Sequence, residues 1–164
     1  MDLPSNDHKI RSFFIAVACI ATSFTAGAIG SLATIPNIPT WYASLEKPPL
    51  LPPNEVFGPV WTVLYLLIGI SLYLVVKTRS PKNKTLAYSA FSTQLALNTL
   101  WSLVFFGLHL PWLGVVVITL LIASILATIY YFRKYSSLAA WLFVPYLAWV
   151  CFASYLTIGV AILN

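Results

Sequence analysis

The residues with chemistry to offer in this chain are aromatic or neutral, and they recur at helical intervals. Phe57, Trp61 and Tyr65 are spaced four apart. Gln94, Asn98, Trp101 and Phe105 fall at offsets of 0, 4, 7 and 11, and Tyr146, Trp149, Ala153 and Leu156 at 0, 3, 7 and 10. On a helix each set projects from one face. Indole and phenyl faces stack on flat apolar molecules, while the amides, phenol and indole N–H groups supply a few hydrogen bonds. A cavity lined this way, without charge, suits a flat apolar ligand. Ordinary aromatic core packing satisfies the same spacing, so the pattern alone leaves both readings open.

The rest of the inventory narrows the chemistry. Asp2, Asp7, Glu46 and Glu55 are the only carboxylates and His8 and His109 the only histidines, and none of the carboxylates lies in an apolar run. A catalytic triad, a carboxylate pair or a haem-ligating pair is hard to assemble from these groups. The intramembrane charges on which ion-coupled transport depends are missing as well. Cys19 and Cys151 fall in different apolar runs and read as small buried residues, so neither a disulfide nor a metal site is expected.

These faces need helices to carry them, and composition says where the helices are. The 164-residue chain is 60% hydrophobic and only 8% charged, against about 25% charged in soluble domains. Its apolar residues form long runs of the length that crosses a bilayer, too long and too unbroken for barrel strands. The expected fold is an all-α integral membrane protein, a single domain built as a five-transmembrane-helix bundle. The spans run about 12–35, 59–76, 86–107, 111–132 and 138–163, with a loop over 36–58. Pro59 and Pro111 suit first helical turns, and Pro145 predicts a kink in the fifth span.

Charge orients the bundle. Lys9, Arg11, Lys77, Arg79, Lys82, Lys84, Arg133 and Lys134 fall on one side and Lys47 alone on the other. The positive-inside rule then puts the N-terminus inside, the C-terminus outside and the 36–58 loop outside. The basic pI therefore reflects orientation, and no nucleic-acid partner is expected. Lys9 and Arg11 ahead of an apolar run ending in "AGA" (Ala26 to Ala28) also outline a cleaved signal peptide, although the run is long for one. Either reading leaves the loop outside. Trp112, Trp141, Tyr130, Tyr131 and Tyr135 sit near span ends, as interfacial anchors do. Trp101 and Trp149 lie deeper, where an indole N–H needs a partner and anchoring explains little. The three aromatic faces converge beneath the loop. Ala26, Gly27, Gly30 and Ser31 permit close helix contact, within the bundle or between subunits.

The blocks "WYASLEKPPLLPPNEVFGPVWTVLY", "STQLALNTLWSLVFFG" and "LFVPYLAWVCFASYL" resemble the signature segments of the TspO/MBR family, in order and over nearly the whole chain. The resemblance implies a five-helix bundle, homodimeric, in a bacterial cytoplasmic membrane. It implies a tetrapyrrole such as protoporphyrin IX as ligand, benzodiazepine-type drugs as further ligands, and no separate cofactor or metal. Trp61, Trp101 and Trp149 match pocket tryptophans, Ala153 and Leu156 match residues further along the fifth helix, and Asn98 a polar position of the third. Trp41, Lys47, Pro48, Pro52 and Pro53 match a lid motif over the pocket. With Phe57, Tyr65 and Phe105 these make up the candidate site. Two other activities follow from the same resemblance: light-dependent porphyrin degradation through Trp61 and Trp149, and transport of porphyrin or lipid. Departures are Leu50, where the family often has Trp, and Thr157, where Asn is frequent. The C-terminal "TIGVAILN" also lacks the sterol-associated motif, so no steroidogenic role is carried over.

Overall fold

The structure, a computed structural model, describes residues 6–81 and 83–164; Asp2 and Lys82 of the sequence reading lie outside them. The described residues hold no strand. α1 (Asn6–Asn37) runs into a π turn (Ile38–Tyr42), and α2 (Asn54–Lys77) follows an irregular segment. α3 (Thr85–Ser102) also ends in a π turn (Leu103–Gly107), and α4 (Pro111–Arg133), α5 (Ser137–Leu142) and α6 (Val144–Leu163) complete the chain. Four described segments are long and apolar enough to cross a membrane: His8–Tyr42, Asn54–Lys77, Pro111–Arg133 and Ser137–Leu163. α3 with its π turn is the fifth rod. α1 packs on α2 and α3, α3 and α6 pack on α4, and α5 closes the bundle against α2.

Proline placement explains where the spans differ from expectation. The loop expected over 36–58 is shorter, because the chain stays helical through Pro36 and Pro39. Neither proline can donate to a carbonyl four residues back, and the π turn absorbs the mismatch. Pro59 is not in the first turn of α2: the helix starts at Asn54, with Pro53 as its N-cap, so Pro59 lies one and a half turns inside. Pro145 does more than kink the last span. The helix breaks at Phe143 and restarts with Pro145 in the first turn of α6, where the missing N–H is harmless.

The end of the bundle rich in cations is tied by backbone caps. Lys84 Nζ donates to the carbonyls of Val75 (2.7 Å), Val76 (3.3 Å) and Thr78 (2.6 Å), closing the C-terminus of α2, where a cation also meets the favourable end of the helix dipole. Lys134 lies over the rings of Tyr130 and Tyr131 (4.2 and 5.0 Å), as expected of interfacial aromatics beside snorkelling lysines. Nearby, Phe91, Phe132 and Phe143 pack into a dry aromatic cluster. Cys19 is buried as expected, but Cys151 is not: it lies on the outer face of α6, since the inward face is taken by Val150, Ala153 and Ser154.

Small residues bring α1 against its neighbours within the chain. Gly69 of α2 meets the backbone of α1, where a Cβ would stand 2.5 Å from Ile20 Cα. Gly30 faces Ser102 of α3, where a Cβ would lie 3.0 Å from Oγ, and Thr99 Oγ1 donates to the Ala26 carbonyl at 3.0 Å.

Candidate functional site

Above the Gly69 crossing, toward the loop end, α1, α2, α3 and α6 together surround a gap. A cavity of about 500 Å³ fills the gap. Ligand sites span about 300–1,000 Å³, so the space is of functional size. α1 lines it with Phe24, Gly27, Ala28, Ser31, Thr34 and Ile35, and the π turn beyond adds Ile38 and Tyr42. α2 contributes Asn54, Phe57, Gly58, Trp61, Thr62 and Tyr65; α3 and its π turn Trp101, Ser102, Phe105 and Phe106; α6 Trp149, Ala153, Leu156 and Thr157. Ala28, Ile35, Gly58 and Thr62 are lining residues that are also exposed, so the cavity opens sideways between α1 and α2.

Three aromatic pairs shape the walls. Trp61 stacks on Tyr65 (centroids 5.4 Å apart, 27° between planes) and Trp101 on Phe105 (5.6 Å, 14°). Phe57 meets Trp149 edge to face (5.7 Å, 67°). Tyr65 is held from three directions. Its hydroxyl donates to Asn98 Oδ1 at 2.6 Å, its carbonyl accepts from Ser23 Oγ at 2.7 Å, and its ring lies where a Cβ on Gly27 would come 2.7 Å from Cζ. Glycine at 27 is therefore what lets the ring lie flat against α1 and leave the cavity open.

Among the described residues no charged side chain lines the cavity. Among the described residues no cluster of three or more His, Cys, Asp or Glu residues occurs. The hydroxyl protons of Ser31, Thr34, Thr62 and Thr157 are committed to carbonyls of their own helices at 2.7–3.1 Å. Those oxygens can only accept from a ligand. Trp101 Nε1 and Trp149 Nε1 are buried and bond to no described residue, so both are free to donate, as are the Tyr42 and Ser102 hydroxyls of the same lining. Such a lining offers aromatic faces for stacking and donors for a ligand acceptor.

Eight of the sequence-derived site residues meet at this cavity: Phe57, Trp61, Tyr65, Trp101, Phe105, Trp149, Ala153 and Leu156. Two others stand behind it. Asn98 is buried between two tyrosines and reaches the cavity only through Tyr65. Trp41 stacks on His109 (4.4 Å, 15°) and packs edge-on against Phe105 (5.4 Å). The expected lid residues do not roof the cavity either. Lys47 turns its ammonium to the carbonyls of Ala43 (3.2 Å) and Leu45 (3.0 Å), so it is not directed at a ligand carboxylate. Pro48, Pro52 and Pro53 belong to a segment seated on α6, and only its flanks Tyr42 and Asn54 line the site. Tyr155 donates to the Pro49 carbonyl (2.9 Å), and Asn164 exchanges two hydrogen bonds with Glu46 (3.0 Å each). Leu50, at the turn of this segment, is exposed and takes a φ of 66°, which an L side chain adopts only under constraint.

Gly159 is the seat of that segment: a Cβ there would come 2.5 Å from Pro48 Cγ. Gly159→Leu is expected to lift the segment from α6. Limited proteolysis between residues 43 and 53 should accelerate several-fold with little change in the melting midpoint; an unaltered cleavage rate would show that the seat is not needed.

The α1 wall was missed by sequence reasoning. Gly27, Ala28, Ser31 and Thr34 follow helical spacing, but small residues signal close helix contact and cavity alike. Tyr42 and Phe106 owe their positions to the two π turns.

A family model described as the TspO/MBR family matches residues 18–163. Among curated relatives, the "Tryptophan-rich protein TspO" of Archaeoglobus fulgidus is 44% identical over 148 residues, covering 90% of this chain and 95% of that protein. The "Protein CrtK" of Rhodobacter capsulatus is 39% identical over 153 residues, covering 93% and 90%. The "Translocator protein" of Homo sapiens is 38% identical over 116 residues, covering 70% and 69%.

Proposed function

The chain belongs to the TspO/MBR family, and from that premise we propose that it is a membrane sensor or regulator binding a tetrapyrrole of the protoporphyrin IX kind. Its spans make it an integral, multi-pass membrane protein, and its named relatives are sensory and translocator proteins. The observation carrying the ligand assignment is the cavity: about 500 Å³, uncharged, walled by Trp61, Trp101 and Trp149. A flat macrocycle offers stacking area to these indoles and ring or side-chain acceptors to Trp101 and Trp149. With Lys47 turned to backbone carbonyls, the ionised carboxylates of such a ligand belong at the open side between α1 and α2, in reach of water or lipid headgroups. Flat synthetic ligands of the benzodiazepine type, which carry an acceptor on an aromatic frame, fit the same description.

In this reading the membrane is a bacterial cytoplasmic membrane, the basic end of the bundle faces inward and the Pro48 segment outward, as the positive-inside distribution supports. A homodimer completes it, as the family resemblance implies. Titrating the protein in lipid nanodiscs with protoporphyrin IX is expected to quench tryptophan fluorescence to saturation at one ligand per chain, reversed by a benzodiazepine-type competitor. Quenching that grows linearly, as for partition into empty nanodiscs, would contradict the assignment.

A further inference from the structure

We propose that the bundle core holds a bound water molecule at Gln94, beneath the cavity and separate from it. Gln94 is fully buried, yet neither Oε1 nor Nε2 bonds to any described residue. It does not line the cavity. Its position follows from its neighbours on the same face of α3. Three residues earlier, Phe91 stacks on Phe132 (5.9 Å, 8°) and meets Phe143 edge to face (6.4 Å, 79°). Four residues later, Asn98 accepts from Tyr65 (2.6 Å) and donates to Tyr146 (3.1 Å). Gln94 therefore lies between a dry aromatic cluster and the end of a polar chain.

That chain is unfinished. Tyr146, fully buried, uses its oxygen to accept from Asn98, and its own proton meets no acceptor among the described residues. The second N–H of Asn98 is likewise free of a described partner. Unmet groups of both kinds thus fall one helical turn apart on the same face of α3: donors on Asn98, its partner Tyr146 and Gln94, and an acceptor at Gln94 Oε1. An amide left unpaired in an apolar interior is expensive, and buried waters typically serve such groups by donating and accepting together. With the aromatic cluster one turn earlier on α3 and Asn98 one turn later, water is the smallest molecule that can both donate and accept there. Accepting from the Tyr146 hydroxyl, the water keeps the lone pair of that oxygen turned to Asn98 Nδ2. Asn98 Oδ1 is then turned to Tyr65, and the Tyr65 ring is held flat on Trp61. The site stands whether or not the cavity binds a porphyrin.

Gln94 is the only glutamine in the chain, so selective ¹⁵N labelling of glutamine side chains yields one amide pair. In the lipid-embedded protein, magnetisation transfer from water to this amide is expected, and it should fall strongly in Tyr146→Phe. A sharp amide signal with no transfer from water overturns the proposal, as does transfer unaffected by Tyr146→Phe. Melting midpoints give an independent readout. Gln94→Leu and Tyr146→Phe should each lower the midpoint, and the double variant should lose less than the two losses together, because both remove the same bound water. Additive losses, or a midpoint raised by Gln94→Leu, would overturn it.

Discussion

Gly58→Phe is expected to weaken protoporphyrin binding at least about tenfold, some 1.4 kcal/mol or more, while leaving the fold intact. Gly58 sits on the cavity face of α2 between Phe57 and Trp61, and beyond its chain neighbours and its own helix backbone a Cβ built there meets no atom within 4 Å. Filling a packed core strains it, but filling open space does not. The phenyl group would occupy volume that the ligand needs between the indoles of α2 and α6. Replacing glycine inside a helix removes a backbone-entropy penalty of roughly 0.5–1 kcal/mol relative to alanine, which the crowding of a Cβ against the ring of the following Pro59 offsets in part. The melting midpoint should therefore stay close to the parent's as binding falls, and Gly58→Ala should bind nearly as the parent does. Unchanged affinity in Gly58→Phe, read by the nanodisc titration, would place the ligand elsewhere.

The second large effect concerns the crossing that opens the cavity. Gly69→Ala puts a Cβ 2.5 Å from Ile20 Cα, 2.9 Å from Ser23 Oγ and 3.0 Å from Ile20 Cγ1. The nearest obstacle is backbone, which cannot rotate away. α1 must move, and the Ser23 bond to the Tyr65 carbonyl is stretched with it. Overpacking of this kind costs about 2–3 kcal/mol. For a chain of this length that lowers the melting midpoint by roughly 5–10 °C. Circular dichroism in detergent measures it; a midpoint within a degree or two of the parent would mean that the helices do not cross here. Ligand affinity should fall as well, because the same movement releases Tyr65 from α1.

Much of this architecture is legible in the sequence because it rests on bulk and period. The aromatic faces of α2, α3 and α6 announce themselves through Trp61, Trp101 and Trp149, and the amides Gln94 and Asn98 show that α3 turns them inward. What the period cannot show is which residue touches which. Asn98 is recognisable as an inward amide, but its work between Tyr65 and Tyr146 depends on residues 33 and 48 positions away. The α1 wall escapes for the opposite reason: Gly27 and Ala28 shape the cavity by lacking side chains, and small size has several uses. The Pro48 segment reads as a roof because it follows the first span and precedes Trp61. Its seat on Gly159 and its ties to Tyr155 and Asn164 link positions more than a hundred residues apart, and no local pattern encodes them. The π turns are hidden as well, since "LVFFG" continues the helical pattern of α3 while the wider turn re-aims Phe105 and Phe106 toward the cavity.

The central claim is that the ligand lies against Trp61 and Trp149, in the cavity between α2 and α6. The most direct measurement compares protoporphyrin titrations of the parent with those of the double variant Trp61→Phe, Trp149→Phe, leaving Trp41, Trp101, Trp112 and Trp141 as reporters. Base-on-aromatic stacking is worth about 1–3 kcal/mol for each indole lost to alanine, and phenylalanine keeps part of it. The account predicts a midpoint shifted about tenfold or more to weaker binding, with saturable quenching of Trp101 retained at high ligand. Equal midpoints in the two proteins would contradict it.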